Sequence, residues 1–157
     1  MDLTEILIEA KKKWGKSVVE AIKKKISEIN LIDSGELEKS ITFDPSEGVD
    51  GDQIFSMKEY GKFQDLGVNP VGKNLYETEF QFKGNFVGTA NAIKKWGKLG
   101  DKNPYAVARK IQFITGLKPK KFYRSIIEAQ LEGLGQIYAD AYSQYLNDQI
   151  EKYNKKK

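Results

Sequence analysis

The chain has 157 residues, 39% of them hydrophobic and 31% charged, with 26 Lys plus Arg against 22 Asp plus Glu and a formal net charge of +4. Those values fit one globular domain and exclude a fibrous or wholly disordered chain. Cys and His are both absent, which removes the best zinc ligands, any disulfide and the commonest general base.

No apolar run is long enough to span a bilayer. The opening MDLTEILIEAKKKW puts an acid first and then turns amphipathic, the wrong order for a signal peptide. Synthesis in a cytosol and no membrane insertion are expected. Only Arg109 and Arg124 are arginines. Base-edge readout leans on bidentate Arg, so the mild basicity reads as a solvated surface.

Residues 3–29 place Leu3, Ile6, Leu7, Ala10, Trp14, Val18, Ile22, Ile26 and Ile29 at steps of three and four. That is the apolar stripe of one long helix, with acids and lysines on the opposite face. Asp2 and Glu5 have the spacing of a capping box. Gly15 costs about 1 kcal/mol against Ala in mid-helix, which points to a close approach by another element. Next comes LIDSGELEKSI (31–41), where Asp33 is placed to cap a short helix over 34–39, with Glu36 at the reciprocal position. A strand over 40–45 stopped by Pro45 and a second over 53–57 follow, then a short helix over 58–67 ended by Gly67.

Residues 68–88 are the least regular. NPVG is a turn, and Tyr76, Thr78, Phe80 and Phe82 alternate with polar residues, predicting a strand that is one arm of an exposed hairpin or extended loop. A short helix over 89–97 capped by Thr89 is expected. Another opens at Asn103-Pro104 and stops at Gly116, with Tyr105, Ala108, Ile111 or Gln112, and Thr115 on one side. LKPKKF is an extended link. From Phe122 to about Tyr153 a helical stripe runs through Ile127, Leu131, Leu134, Tyr138, Tyr142, Tyr145 and Ile150. The expected fold is α+β: long N- and C-terminal helices packed on a small antiparallel β-sheet, with short helices and an extended loop or hairpin insertion. One domain over 1–157 is expected, with an insertion at 69–103 and a disordered basic tail at 154–157.

Three segments, taken in order, resemble one family. DSGELEKSI (33–41) is similar to an Asp-Thr-Gly-x-Leu-x-x-Ser-Ile pattern. YGKFQDLGV (60–68) is similar to Tyr-small-x-aromatic-x-acid followed by an aromatic or aliphatic residue and Gly-Thr. LKPKKFYRSIIEA (117–129) is similar to a pattern with Pro-Phe that leads into a C-terminal helix. With the amphipathic basic helix ahead of them, the chain resembles the tail-completion or neck proteins of tailed double-stranded DNA bacteriophages, also described as head–tail joining or minor tail components. It departs from them in Ser34, where Thr is usual, in Val68, where Thr is common, and in Lys121, where Pro tends to precede Phe122. Its 69–103 block is also longer than the simplest members carry.

The resemblance implies a structural virion protein of the neck or tail, with no enzymatic activity and no cofactor or metal. It implies a ring, sixfold or twelvefold, that joins the portal-side connector to the tail and lets DNA pass. The partners implied are copies of the chain itself, the adjoining head-closure or connector and tail-tube proteins, and, transiently and non-specifically, packaged DNA. Asp33, Ser34 and Gly35 would then hinge the N-terminal helix onto the sheet. A ring requires heterologous contacts that close by rotation, hence two different contact surfaces per subunit.

Tyr76, Phe80, Phe82 and Phe86 are the candidate subunit or neighbour contacts, since aromatics supply contact area at low entropic cost. Tyr60 and Phe63 read rather as core. Lys118, Lys120, Lys121 and Arg124 read first as surface, then as cations facing DNA in a lumen, and last as operator contacts. Asp33 and Glu36 are explained by capping, and Asp65 and Glu59 suggest acid–base work no more strongly. No nucleophile elbow, phosphate loop or metal-ligand spacing is present, so a non-enzyme is expected. The alternative is a small DNA-binding protein with a helix-turn-helix-like segment at 104–127. Against it, Pro119 falls where the second helix should start. A membrane-surface role for the basic first helix, with Trp14, is opposed by acids on the same face.

Overall fold

The computed structural model describes residues 2–31, 35–45, 48–95 and 100–155. Its elements in chain order are α1 (Leu3–Glu28), α2 (Glu36–Ser40), β1 (Thr42–Pro45), β2 (Gln53–Ser56), α3 (Tyr60–Leu66), α4 (Phe86–Lys95), α5 (Pro104–Lys110) and α6 (Arg124–Asn154). A π-helical turn, Ile111–Thr115, continues α5. β1 and β2 pair antiparallel, from Thr42 opposite Ser56 to Pro45 opposite Gln53. The expected α+β arrangement, long terminal helices on a small antiparallel sheet, is therefore the observed one.

The apolar stripe of α1 makes the core. Trp14, Val18, Ile22 and Ile26 are buried with Leu37, Ile41 and Phe122. Trp14 receives Phe43 and Phe55 of the sheet edge-on, with ring centroids 6.2 and 5.7 Å away, a favoured aromatic geometry. Its Nε1–H donates to the Gln130 carbonyl of α6 at 3.0 Å. Three residues earlier, the buried Lys11 ammonium donates to the carbonyls of Gly48 and Gly51. The pKa of the Tyr138 hydroxyl of α6 is raised by burial and further by the charge of Asp50 in that same loop. Trp14 meets Gln130, while Ile22 and Ile26, further along α1, share the core with Phe122 just before α6, so the two long helices run antiparallel.

Gly15 has the close neighbour its position suggests. A Cβ there would fall inside the ring of Phe43. Gly15→Ala is expected to destabilise the fold by roughly 1–3 kcal/mol through overpacking, despite the gain of about 1 kcal/mol in helix propensity. Denaturant unfolding checks the sign, and trimming Phe43 to Leu in the same chain should recover part of the loss.

Several local expectations are corrected. The short helix begins at Glu36, and its N-cap is Gly35 at φ 71°, with no side-chain cap; Asp33 and Ser34 lie outside the described residues. Glu36 forms an exposed ion pair with Lys58; its expected reciprocal capping of Asp33 lies outside the described residues. Ser40 ends α2, donating to the Leu37 carbonyl at 2.7 Å and accepting the Lys58 N–H at 3.0 Å, so β1 starts two residues later than its alternation suggests. Thr89 does not cap α4. The helix begins at Phe86, and Asn85 Oδ1 accepts the Gly88 N–H at 3.3 Å.

In α6 the inward side is Ile127, Leu134, Ile137, Tyr138, Ala141 and Tyr145, whereas Leu131, Tyr142 and Ile150 are exposed. Counted from Ile127 at about 100° per residue, Leu131 and Tyr142 lie about 40° and 60° round the helix and Ile150 about 140°, which takes them off the packed face. Of the expected tail at 154–157, Asn154 closes α6 and Lys155 still donates to the Glu151 carbonyl at 3.0 Å. Lys156 and Lys157 lie outside the described residues. A second small core, Ala90 and Ile93 of α4 with Ala108 of α5, holds those two helices together.

Candidate functional site

Two glycines build the joint from which the site hangs. Gly67 stops α3 and Gly116 stops the π-helical turn, and the residues after them pair as an isolated antiparallel bridge. The Val68 N–H donates to the Leu117 carbonyl at 2.9 Å, and the Leu117 N–H to the Val68 carbonyl at 2.8 Å. Beyond the bridge lies Asn69, 2% exposed. Its Oδ1 accepts the N–H groups of Leu75 and Tyr76, and its Nδ2 donates to the carbonyls of Tyr76 and Thr78. Its backbone N–H donates to Phe80 O and its carbonyl accepts from Phe82 N–H. Residues 70–82 are therefore wound around one side chain. This overturns the expected strand at 76–82: most of the backbone groups that a sheet ladder would use are bonded to Asn69, the Thr78 and Phe80 N–H groups are bonded within the loop, and Gln81 makes only an isolated bridge to Asn69.

The loop delivers Phe80 edge-on to Phe63 of α3, with centroids 4.8 Å apart. Tyr60 and Phe63, read from the sequence as core, are 43% and 36% exposed. The reason is local: α3 turns Gly61 and Asp65 inward, four residues apart. A Cβ on Gly61 would lie 2.8 Å from Leu37, so Tyr60 and Phe63 are left on the outer side.

Asp65 is 3% exposed, and its carboxylate accepts the N–H groups of Tyr123 at 2.8 Å and Arg124 at 3.3 Å. It thus caps α6 from a distant element, where a negative charge suits the helix dipole. The Gln64 and Asp65 carbonyls accept from the Lys120 and Lys121 N–H groups. This straps the extended link to α3 and holds Lys121 at φ 50°. Asp65→Ala should cost about 2 kcal/mol, from the lost cap and two stranded N–H groups. Asp65→Asn, which keeps an acceptor, should cost less; thermal unfolding of the two variants decides. Beside it, burial and then the Asp65 charge push the Tyr123 hydroxyl up to about 12. The folded chain keeps this proton after the unfolded one has lost it near pH 10. Stability should therefore fall between about pH 10 and 12, less so in Tyr123→Phe, as read by urea unfolding.

Between β2, α3, the Phe80 loop and the start of α6 lies a cleft of about 760 Å³. Phe63, Phe80 and Tyr123 give it an aromatic floor, and its rim carries Glu59, Glu79 and Glu128 against Lys62 and Arg124. Among the described residues no group of three or more carboxylates is gathered closely enough to hold a metal ion.

Of the four candidate aromatics, the structure brings Phe80 into this cleft. Tyr76 is an internal strut, its hydroxyl donating to the Thr115 carbonyl at 2.7 Å. Phe82 is half-buried in the loop. Phe86 opens α4, and only its backbone is described. Lys118, Lys120, Lys121 and Arg124 are exposed along the strap and the first turn of α6, with Arg124 reaching the cleft. The segment 104–127 is not a helix-turn-helix. Residues 116–123 separate its helical parts, where that motif uses a turn of three or four residues.

Asn69 and Asp65 escaped the sequence as organising residues. An Asn before Pro signals a turn, but nothing local marks a side chain that bonds residues up to nine positions on. Among the described residues no helix is long and apolar enough to cross a membrane. Compared with protein-family models, curated proteins and solved structures, the chain finds no match in any of the three.

Proposed function

We propose that this chain is a structural, non-catalytic assembly subunit of the neck or tail of a tailed bacteriophage, a ring component joining the portal-side connector to the tail. The observation that carries the proposal is the presence of two chemically different sticky surfaces. One is the aromatic cleft. The other is the outer stripe of α6, where Leu131, Tyr142, Leu146, Ile150 and Tyr153 are all exposed. An extended apolar stripe on a soluble domain marks a contact site, and two unlike surfaces per subunit are what a heterologous ring requires. The three sequence segments similar to neck proteins add to this, and the exposed lysines of the strap suit passing contact with phosphates.

Native mass spectrometry and negative-stain microscopy of the chain with its connector should reveal a closed ring of six or twelve copies. Duplex binding should be weak, steeply salt-dependent and indifferent to sequence. A chain that stays monomeric with neck partners yet binds one operator tightly would refute the proposal.

A further inference from the structure

We infer that the last three turns of α6 in one copy of the chain seat in the aromatic cleft of another copy. The inference rests on the self-assembly proposed above and names the surfaces that meet. Trp14 and Gln130 stand level in the antiparallel pair of long helices. At equal rise per residue, Asp2 is then level with about Tyr142, and α6 projects past α1 by on the order of 18 Å. Every described residue of α6 beyond Tyr145 is exposed.

What it carries points to an occupant's role. Leu146, Ile150 and Tyr153 follow the i, i+4, i+7 spacing by which a helix anchors in an apolar groove. Ile150 and Tyr153 are 58% and 64% exposed. With Asp148 and Glu151 set against Lys152, Lys155, Lys156 and Lys157, residues 146–157 carry two acids and four lysines, a net charge of +2. The cleft offers the complement, with aromatic rings Phe63 and Phe80 below and a rim on which Glu59, Glu79 and Glu128 outnumber Lys62 and Arg124.

The overhang cannot fill the cleft of its own chain. Tyr123 and Arg124, at the start of α6, line that cleft, and the helix runs unbroken from Arg124 to Asn154. Its two ends are therefore on the order of 45 Å apart along a stiff rod. The complementary surfaces sit at opposite ends of one helix, so satisfying both requires a second copy.

Two variants at exposed positions test the contact without touching the core: Ile150→Glu with Tyr153→Glu on the overhang, and Glu79→Lys with Glu128→Lys on the rim. Sedimentation velocity of the full chain should show concentration-dependent self-association that raised salt weakens. Each variant alone should weaken it by at least about tenfold. Mixed together they should give a 1:1 pair, because the mixture retains one intact overhang and one intact cleft.

Loss of association in the overhang variant but not in the rim variant would mean that α6 pairs with its own kind, and would overturn the inference. Association unchanged in both would overturn it while leaving self-assembly standing. A wild-type chain that remains monomeric up to about 1 mM would overturn it too. The ring proposal would then be judged separately, by mass spectrometry with the connector.

Discussion

Asn69→Ala is expected to unwind the 70–82 loop and to cost roughly 2–4 kcal/mol. Asn carries two N–H donors and an oxygen with two lone pairs. Asn69 uses all of that capacity, at 2.7 to 3.2 Å, on the backbone of residues 75–78. Each bond is worth about 1 kcal/mol net, and leaving its partner stranded costs more. Part of the loop is open to water, which holds the total below a simple sum. Asn69→Asp should be worse near neutral pH despite its equal size, because a carboxylate oxygen would face the Tyr76 and Thr78 carbonyls where an amide donates now. Protonation of that carboxylate in acid should recover part of the loss, since a carboxylic acid has one donor again. Hydrogen exchange at Leu75, Tyr76, Phe80 and Phe82 reads the effect. Protection that is unchanged in Asn69→Ala would show that the loop is held by something else. With the loop released, Phe80 leaves Phe63, and self-association should weaken even though neither ring has been altered.

What the sequence reveals and what it hides divide along the distance over which each interaction acts. The α1 stripe, the Asp2–Glu5 capping box, Gly15, the two short strands and the stops at Gly67 and Gly116 all follow from residues a few positions apart. Period, propensity and turn chemistry report on such distances directly. The alternation at 76–82 misleads because period two records only which side chains share a side. It does not say whether the backbone bonds to a neighbouring strand or to a side chain such as Asn69. Asp65 looks like one more surface acid until Tyr123 and Arg124, nearly sixty residues on, supply the N–H groups it caps.

The exposure of Tyr60 and Phe63 follows from which turn of a seven-residue helix faces inward, and so short a helix gives periodicity little to work with. Two of the three segments that suggested a neck protein, 60–68 and 117–129, do meet in space through the Val68–Leu117 bridge and the Asp65 cap. Their ordering along the chain could not disclose that contact. The candidate cleft was legible only in part: Phe80 stood out as an aromatic in an irregular segment, whereas the acids around it looked like ordinary surface.

Gly116→Ala and Gly67→Ala are each expected to cost about 3 kcal/mol or more. Gly67 has φ 78° and ψ 176°, and Gly116 has φ 64° and ψ −170°. This region of backbone space is essentially closed to residues with a Cβ and costs about 1–3 kcal/mol to force. Sterics add to it. A Cβ on Gly67 would lie 2.6 Å from the Leu117 carbonyl oxygen and 2.8 Å from Pro119 Cδ. One on Gly116 would strike the Val68 carbonyl and come within 2.9 Å of Pro70 Cδ and 3.0 Å of Tyr76. Each glycine is thus packed against the strand that follows the other, and neither neighbour can move without opening the bridge.

Gly72 supplies the control. Its φ is 69° with nothing within 4 Å of a Cβ, so Gly72→Ala should show only the strain of a left-handed residue, about 1–2 kcal/mol. The double variant of Gly67 and Gly116 should cost clearly less than the two single losses added, because either one alone already breaks the joint. Denaturant midpoints for the four chains decide the matter. A Gly116→Ala chain no less stable than Gly72→Ala would mean that the bridge yields easily and does not fix the loop that carries Phe80.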